Sequence, residues 1–169
     1  EGSGNLGAVL LHDVPRWSGG SVPCSVRELL RPRITQIFAF EMIAAILAVE
    51  LFALRCCRVV LFLDNTSVLG ALRKGRSSAQ DGQALVQFFW ENAARRHLDF
   101  YLYFVPSSLN LADLPSRGKA PILGTQVMWR CRAESLISAL SSSQIRRLFC
   151  LDSAPLSLPS LPFRPPLWL

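Results

Sequence analysis

Residues 58–74 read RVVLFLDNTSVLGALRK, and this stretch decides the fold. The run VVLFL is β-branched and aromatic and apolar on both faces, which is the pattern of a central strand. Asp64 ends it. Asn65 or Thr66 can cap a helix over about 66–73, and Gly75 can end that helix. A strand running straight into a capped helix is an α/β unit. The last side chain of such a strand sits at the sheet rim, where ligands bind in open α/β folds. An acid there is costly to desolvate, so it needs a partner. The plainer role for Asp64 is helix capping.

Upstream, residues 40–54 read FEMIAAILAVELFAL, an almost wholly apolar stretch. It is expected to be a long helix over about 39–54, covered on most sides, with Glu41 in its first turn. There Glu41 either favours the helix dipole or takes part in a site. A membrane span is the competing reading. Glu41 and Glu50 oppose it, at about 2.5–3.5 kcal/mol for each central acid. Residues 7–12, GAVLLH, read as a short strand, and Pro15, Gly19, Gly20 and Pro23 suggest hairpin material. Ser25 with Glu28 forms a capping-box pattern for a short helix to Leu30, stopped by Pro32. Residues 34–38 are a weak strand or an approach loop.

Downstream, a helix is expected over about 80–97, burying Leu85, Val86, Phe88, Phe89 and Trp90, and DFYLYFV marks a strand over 99–105. VPSSLNLADLPSR (105–117) then carries Asp113 in a helix or irregular turn interrupted at Pro115. Asp113 can cap a turn or complete a site. A last helical segment is expected over about 131–148. Residues 152–169 hold five prolines with several Leu and Ser, which reads as a poorly ordered tail. The units are 1–120, a helical extension at 121–151, and the tail at 152–169. Glu41, Asp64 and Asp113 could therefore meet at one rim and hold a divalent cation for phosphate chemistry.

The chain of 169 residues suits one domain plus a tail, and half of its residues are hydrophobic. Mean hydropathy is +0.29 and the isoelectric point is about 9.6. The formal charge is +6, and Lys74 and Lys119 are the only lysines. An Arg-rich basic surface suits phosphate backbones, though a basic soluble protein would share it. The five cysteines, Cys24, Cys56, Cys57, Cys131 and Cys150, form no CxxC pair, and His12 and His97 add no zinc spacing, so free thiols are expected. His97, in RRHLD at a helix end, reads as a surface residue. The opening EGSGNLGAVLL lacks a basic signal-peptide start, so an intracellular protein without a membrane segment is expected.

The pieces FEMIAAILAVELF, VVLFLDNTSVLGALRKGRSS and FVPSSLNLADLPSRG resemble the ribonuclease H-like domain of retrotransposon reverse transcriptase polyproteins, nearest to DIRS-like and gypsy-like elements. The resemblance covers roughly residues 1–120. It implies an α/β fold, a ribonuclease H-like mixed sheet with helices packed on it. It implies metal-dependent hydrolysis of the RNA strand of RNA–DNA hybrids by carboxylates holding two Mg²⁺ or Mn²⁺ ions, with Glu41, Asp64 and Asp113 as three of the four acids. It also implies nucleic acid as partner, an upstream reverse transcriptase domain in the same polyprotein, and a substrate-backbone contact from Asn65. Arg73, Lys74, Arg76, Ser77 and Ser78 read either as a phosphate-contacting loop or as a solvated one, and Arg117, after Asp113, is expected to face substrate. The fourth acid belongs on the first strand, before a turn whose end matches GNLGAVLL. Either it lies upstream, so that the first strand is truncated, or Glu1 replaces it; Asp13 lies past the strand. Weak or no cleavage is expected without it. The alternatives are an inactive nucleic-acid-binding or connecting relic, and a protein-interaction module using the Pro- and Leu-rich tail. The family fold requires the first strand to pair in parallel with the strand ending at Asp64, across the intervening helix.

Overall fold

Short β-rich runs and longer apolar runs alternate along the chain, and the computed structural model turns them into a mixed α/β architecture. It describes residues 5–22, 24–28, 30, 32, 34, 36–121 and 124–127. In chain order the elements are β1 (Asn5–Leu10), β2 (Arg16–Ser21), α1 (Cys24–Arg27), α2 (Ile37–Phe52), β3 (Arg58–Leu63), α3 (Thr66–Lys74), α4 (Gln80–Arg96), β4 (Asp99–Phe104), a 3₁₀ turn (Ser107–Leu109), α5 (Asp113–Ser116) and β5 (Thr125–Gln126).

The central unit forms as expected. Asn65 accepts hydrogen bonds from the backbone N–H groups of Ser67 (3.0 Å) and Val68 (3.2 Å), so Asn65 rather than Thr66 caps α3. Gly75 closes the helix in the left-handed conformation at φ 65°. α2 is apolar around its whole circumference and is the heart of the core. Its Met42, Ile43, Ile46 and Leu47 are buried, and it packs on β1, α3 and α4. A polar clamp ties α2 to α4. Asn92 donates to Glu50, and Arg96 donates to the carbonyls of Val49 (3.0 Å) and Ala53 and lies 3.7 Å from Glu50. This network explains how Glu50 is tolerated in an oily helix. No helix among the described residues is long and apolar enough to cross a membrane.

Several expectations need correction. The first strand and the strand ending at Asp64 do not pair. β1, β2 and β5 form one small mixed sheet, with β1–β2 antiparallel and β2–β5 parallel, while β3 and β4 form a separate parallel pair. A crossover helix makes strands parallel without making them neighbours. Here β3 takes its partner from the next strand, with Leu61 opposite Leu102. Nor is β3 covered on both faces: Val60 and Phe62 are more than half exposed, and the Phe62 ring lies 5.9 Å from that of Tyr103 on the same open face.

Other differences are local. Ser25 lies inside the four-residue α1 rather than capping it. Residues 34 and 36 are not strand, and the long helix begins at Ile37, so Glu41 falls beyond its first turn. The dipole therefore does not account for Glu41. Phe88 and Trp90 are only half-buried, while Leu85, Val86 and Phe89 are buried. Pro115 does not interrupt α5. It sits in the first turn, where a missing N–H leaves no hydrogen bond unmade. β5 lies beyond residue 120 yet joins the sheet through β2. Cys24, Cys56 and Cys57 are free thiols. The expected helix at 131–148, the tail, Glu1, Cys131 and Cys150 lie outside the described residues.

Candidate functional site

Three elements carry the three acids to one place. Asp64 follows the last residue of β3, where the chain turns into the capped α3. Glu41 stands in the second turn of α2, on the side that also carries Ala44 into the same pocket. Asp113 opens α5, and its position is built locally. Asn110 accepts from the N–H of Ala112 (3.0 Å), its carbonyl accepts from the N–H of Asp113 (3.1 Å), and Ser116 donates to the Asp113 carbonyl (2.9 Å). These side-chain turns make SLNLADLPS a rigid corner rather than a loose loop.

The corner is pressed onto the β1–β2 hairpin at two glycines. A Cβ on Gly7 would lie 2.2 Å from the Ala112 carbonyl oxygen and 2.6 Å from the Ser116 nitrogen. One on Gly19 would lie 2.4 Å from the Pro115 oxygen. Only glycine lets the backbones approach this closely.

The result is a pocket of about 70 Å³, lined by Glu41, Asp64 and Asp113, by Asn5, Leu6 and Gly7 of β1, and by Asn110 and Ser116. That is room for a few waters or a small ion. Its electrostatics follow from its lining. Burial, and then the neighbouring Asp64 and Asp113 charges, push the Glu41 carboxyl up from 4.5 to about 7. The donor set suits a hard divalent cation, which prefers carboxylate and carbonyl oxygens. Among the described residues, no three His, Cys, Asp or Glu side chains are grouped tightly enough to hold one ion together. The three carboxylates share one pocket.

The basic residues singled out from the sequence divide. Arg117 is beside the pocket, where Nε and Nη2 each lie 3.0 Å from a different oxygen of Asp113. Its guanidinium thus engages the acid as a fork. Asn65 spends its side-chain oxygen on the α3 cap. Arg73 and Lys74 sit at the far end of α3, roughly 13 Å along a nine-residue helix from Asp64's end. Arg73 donates to the Leu102 carbonyl (2.7 Å). Arg76 and Ser78 are exposed in the following loop, and the N–H of Ser77 donates to Gln83 (2.8 Å). His97 is exposed and closes α4 in the left-handed conformation. Asn5, Gly7 and Ser116 were not foreseen as part of the site. Gly7 had a readable signal, a glycine inside a strand, which marks close backbone approach. Comparison with family models, with curated proteins and with solved structures returns no match to this chain.

Proposed function

We propose that this chain carries a ribonuclease H-like carboxylate site that hydrolyses phosphodiester bonds, with the RNA strand of an RNA–DNA hybrid as substrate and Mg²⁺ or Mn²⁺ as cofactor. One observation carries the reading: Glu41, Asp64 and Asp113, from three separate elements, line one pocket, where burial first and then the Asp64 and Asp113 charges raise the Glu41 carboxyl to about 7. Carboxylates are brought together against their own repulsion where a cation or a proton is to be bound. The two separate sheets do not meet the strand pairing that the family fold requires, so the proposal rests on the carboxylate site and the three motifs and not on the fold.

In this reading the carboxylates would hold a divalent cation, which when bound would supply Lewis-acid polarisation of a phosphoryl oxygen and a more acidic attacking water. The chain's own residues hold and orient. Asp64 and Asp113 would hold the cation, and Glu41 would join them once ionised. Gly7 and Gly19 keep α5 and its Asp113 close to the strands. Arg76 and Lys74 are exposed and basic, suited to backbone phosphates rather than to bases. The 2′-hydroxyls of the RNA strand would distinguish it from DNA.

A second reading has its own support. The β1 wall of the pocket offers Asn5, Leu6 and Gly7 and no acid among the described residues. A nucleic-acid-binding relic would have this composition. One experiment separates the two. A labelled RNA–DNA hybrid is incubated with the chain, and with a version extended upstream of Glu1 by a strand that carries an Asp, with Mg²⁺ or with chelator. Little or no cleavage by the chain as it stands, Mg²⁺-dependent cleavage by the extended version, and loss of that cleavage in Asp64→Asn support the enzyme. Hybrid binding without cleavage by either version supports the relic. Cleavage that persists in chelator or in Asp64→Asn would show that these carboxylates are not the catalytic site.

A further inference from the structure

We infer that Arg117 is a displaceable latch on the candidate cation site: it holds the Asp113 carboxylate, and a divalent cation must compete for that carboxylate in order to bind. The inference rests on the carboxylate-site reading above and deepens it by naming what controls access to the site.

The geometry is that of a committed pair. Both Asp113 oxygens are engaged, Oδ1 by Nε at 3.0 Å and Oδ2 by Nη2 at 3.0 Å. Planar guanidinium against carboxylate is the arrangement with the greatest directional specificity among ion pairs. The pair is also local, one helical turn apart, so the short α5 that presents Asp113 to the pocket presents its competitor too. Asp113 is meanwhile a wall of the pocket that Glu41 and Asp64 share.

The latch is weak enough to open. The Arg117 side chain is 68% exposed and that of Asp113 39%. Exposed ion pairs contribute little, because water solvates both partners well. A divalent cation shared by three carboxylates offers Asp113 more than a solvated guanidinium does. Arg117 is therefore a positioning residue that acts through Asp113.

The test is a calorimetric Mn²⁺ titration of the full chain at pH 8, where Glu41 is ionised, comparing wild type with Arg117→Gln, Arg117→Lys and Asp113→Asn. Circular dichroism melts check that each variant folds. Arg117→Gln is expected to tighten the Mn²⁺ dissociation constant by roughly three- to five-fold, the upper range for an exposed ion pair. Arg117→Lys keeps the charge but not the fork and is expected to fall between wild type and Arg117→Gln. Asp113→Asn is expected to weaken binding at least ten-fold. Binding that is lost in Asp113→Asn but no tighter in Arg117→Gln would overturn the latch and leave the site standing. An Arg117→Lys titration indistinguishable from wild type would also overturn it, since charge alone would then account for the effect of Arg117. No saturable binding in wild type or in Arg117→Gln would overturn the carboxylate site itself, and the latch with it.

Discussion

At Glu41, burial and charge act in the same direction. Removal from water disfavours the ionised carboxylate, and the Asp64 and Asp113 charges disfavour it further. The folded protein therefore binds this proton more tightly than the unfolded chain does. Its contribution to stability is fully present below pH 4.5 and is lost as pH rises through about 7. Between about pH 5 and 8 ordinary carboxylates are already ionised but histidine titrates, so the effect is read as the difference between wild type and Glu41→Gln. Wild type is expected to lose about 1–2 kcal/mol across that range, discounted for partial exposure of the pocket. Glu41→Gln is expected to flatten the dependence and to be the more stable protein at pH 8. Urea melts at half-unit pH intervals measure this, and equal slopes for the two proteins would refute the assignment.

Among the elements, α5 owes its place to what is missing beneath it. Gly7→Ala would drive a methyl group into the Ala112 carbonyl and the Ser116 nitrogen, and backbone cannot rotate away as a flexible side chain can. Overpacking of this kind costs about 1–3 kcal/mol. Gly7→Ala is therefore expected to lower the melting temperature and to weaken Mn²⁺ binding together, because the Asp113 corner moves with its support. Gly70→Ala, on the open side of α3 where an added Cβ meets nothing within 4 Å, is the matched control and is expected to leave binding unchanged. The α3 cap gives an independent case. Asn65→Ala should cost about 1 kcal/mol, the usual loss for a side-chain cap, while Asn65→Asp keeps the acceptor and most of that stability. If Asn65→Ala melts like wild type, the two bonds to Ser67 and Val68 do not hold α3.

For the whole molecule, the acid pocket joins parts of the fold that share no strand pairing. Asn5–Gly7 belong to the β1–β2–β5 sheet, Asp64 follows the β3–β4 pair, and Glu41 comes from α2, which packs on β1. A cation bound there would tie these parts together, and binding to the folded state alone stabilises it by mass action. At a Mg²⁺ concentration near one hundred times the dissociation constant the gain is about 2.7 kcal/mol. Thermal melts are expected to rise with Mg²⁺, to return in chelator, and to be insensitive to Mg²⁺ in Asp64→Asn. A rise that survives in Asp64→Asn would place the cation elsewhere.

Period and punctuation made much of this structure readable in the chain itself. Alternating and continuous apolar runs placed β3, α3, α4 and β4 to within a residue or two, because each is bounded by a local signal: Asn65, Gly75, the helix end at His97, Pro106. The three acids stood out because each interrupts apolar surroundings. What the chain could not announce was pairing and approach. Whether β3 would join β1 or β4 depends on competition between distant backbones, which no local pattern encodes. The closeness of α5 to β1 depends on Gly7 and Gly19 meeting carbonyls more than ninety residues away. The fork between Arg117 and Asp113 is one turn long in sequence, but its meaning appeared only when folding set that carboxylate in a pocket with Glu41 and Asp64, because charges interact through space and not along the chain.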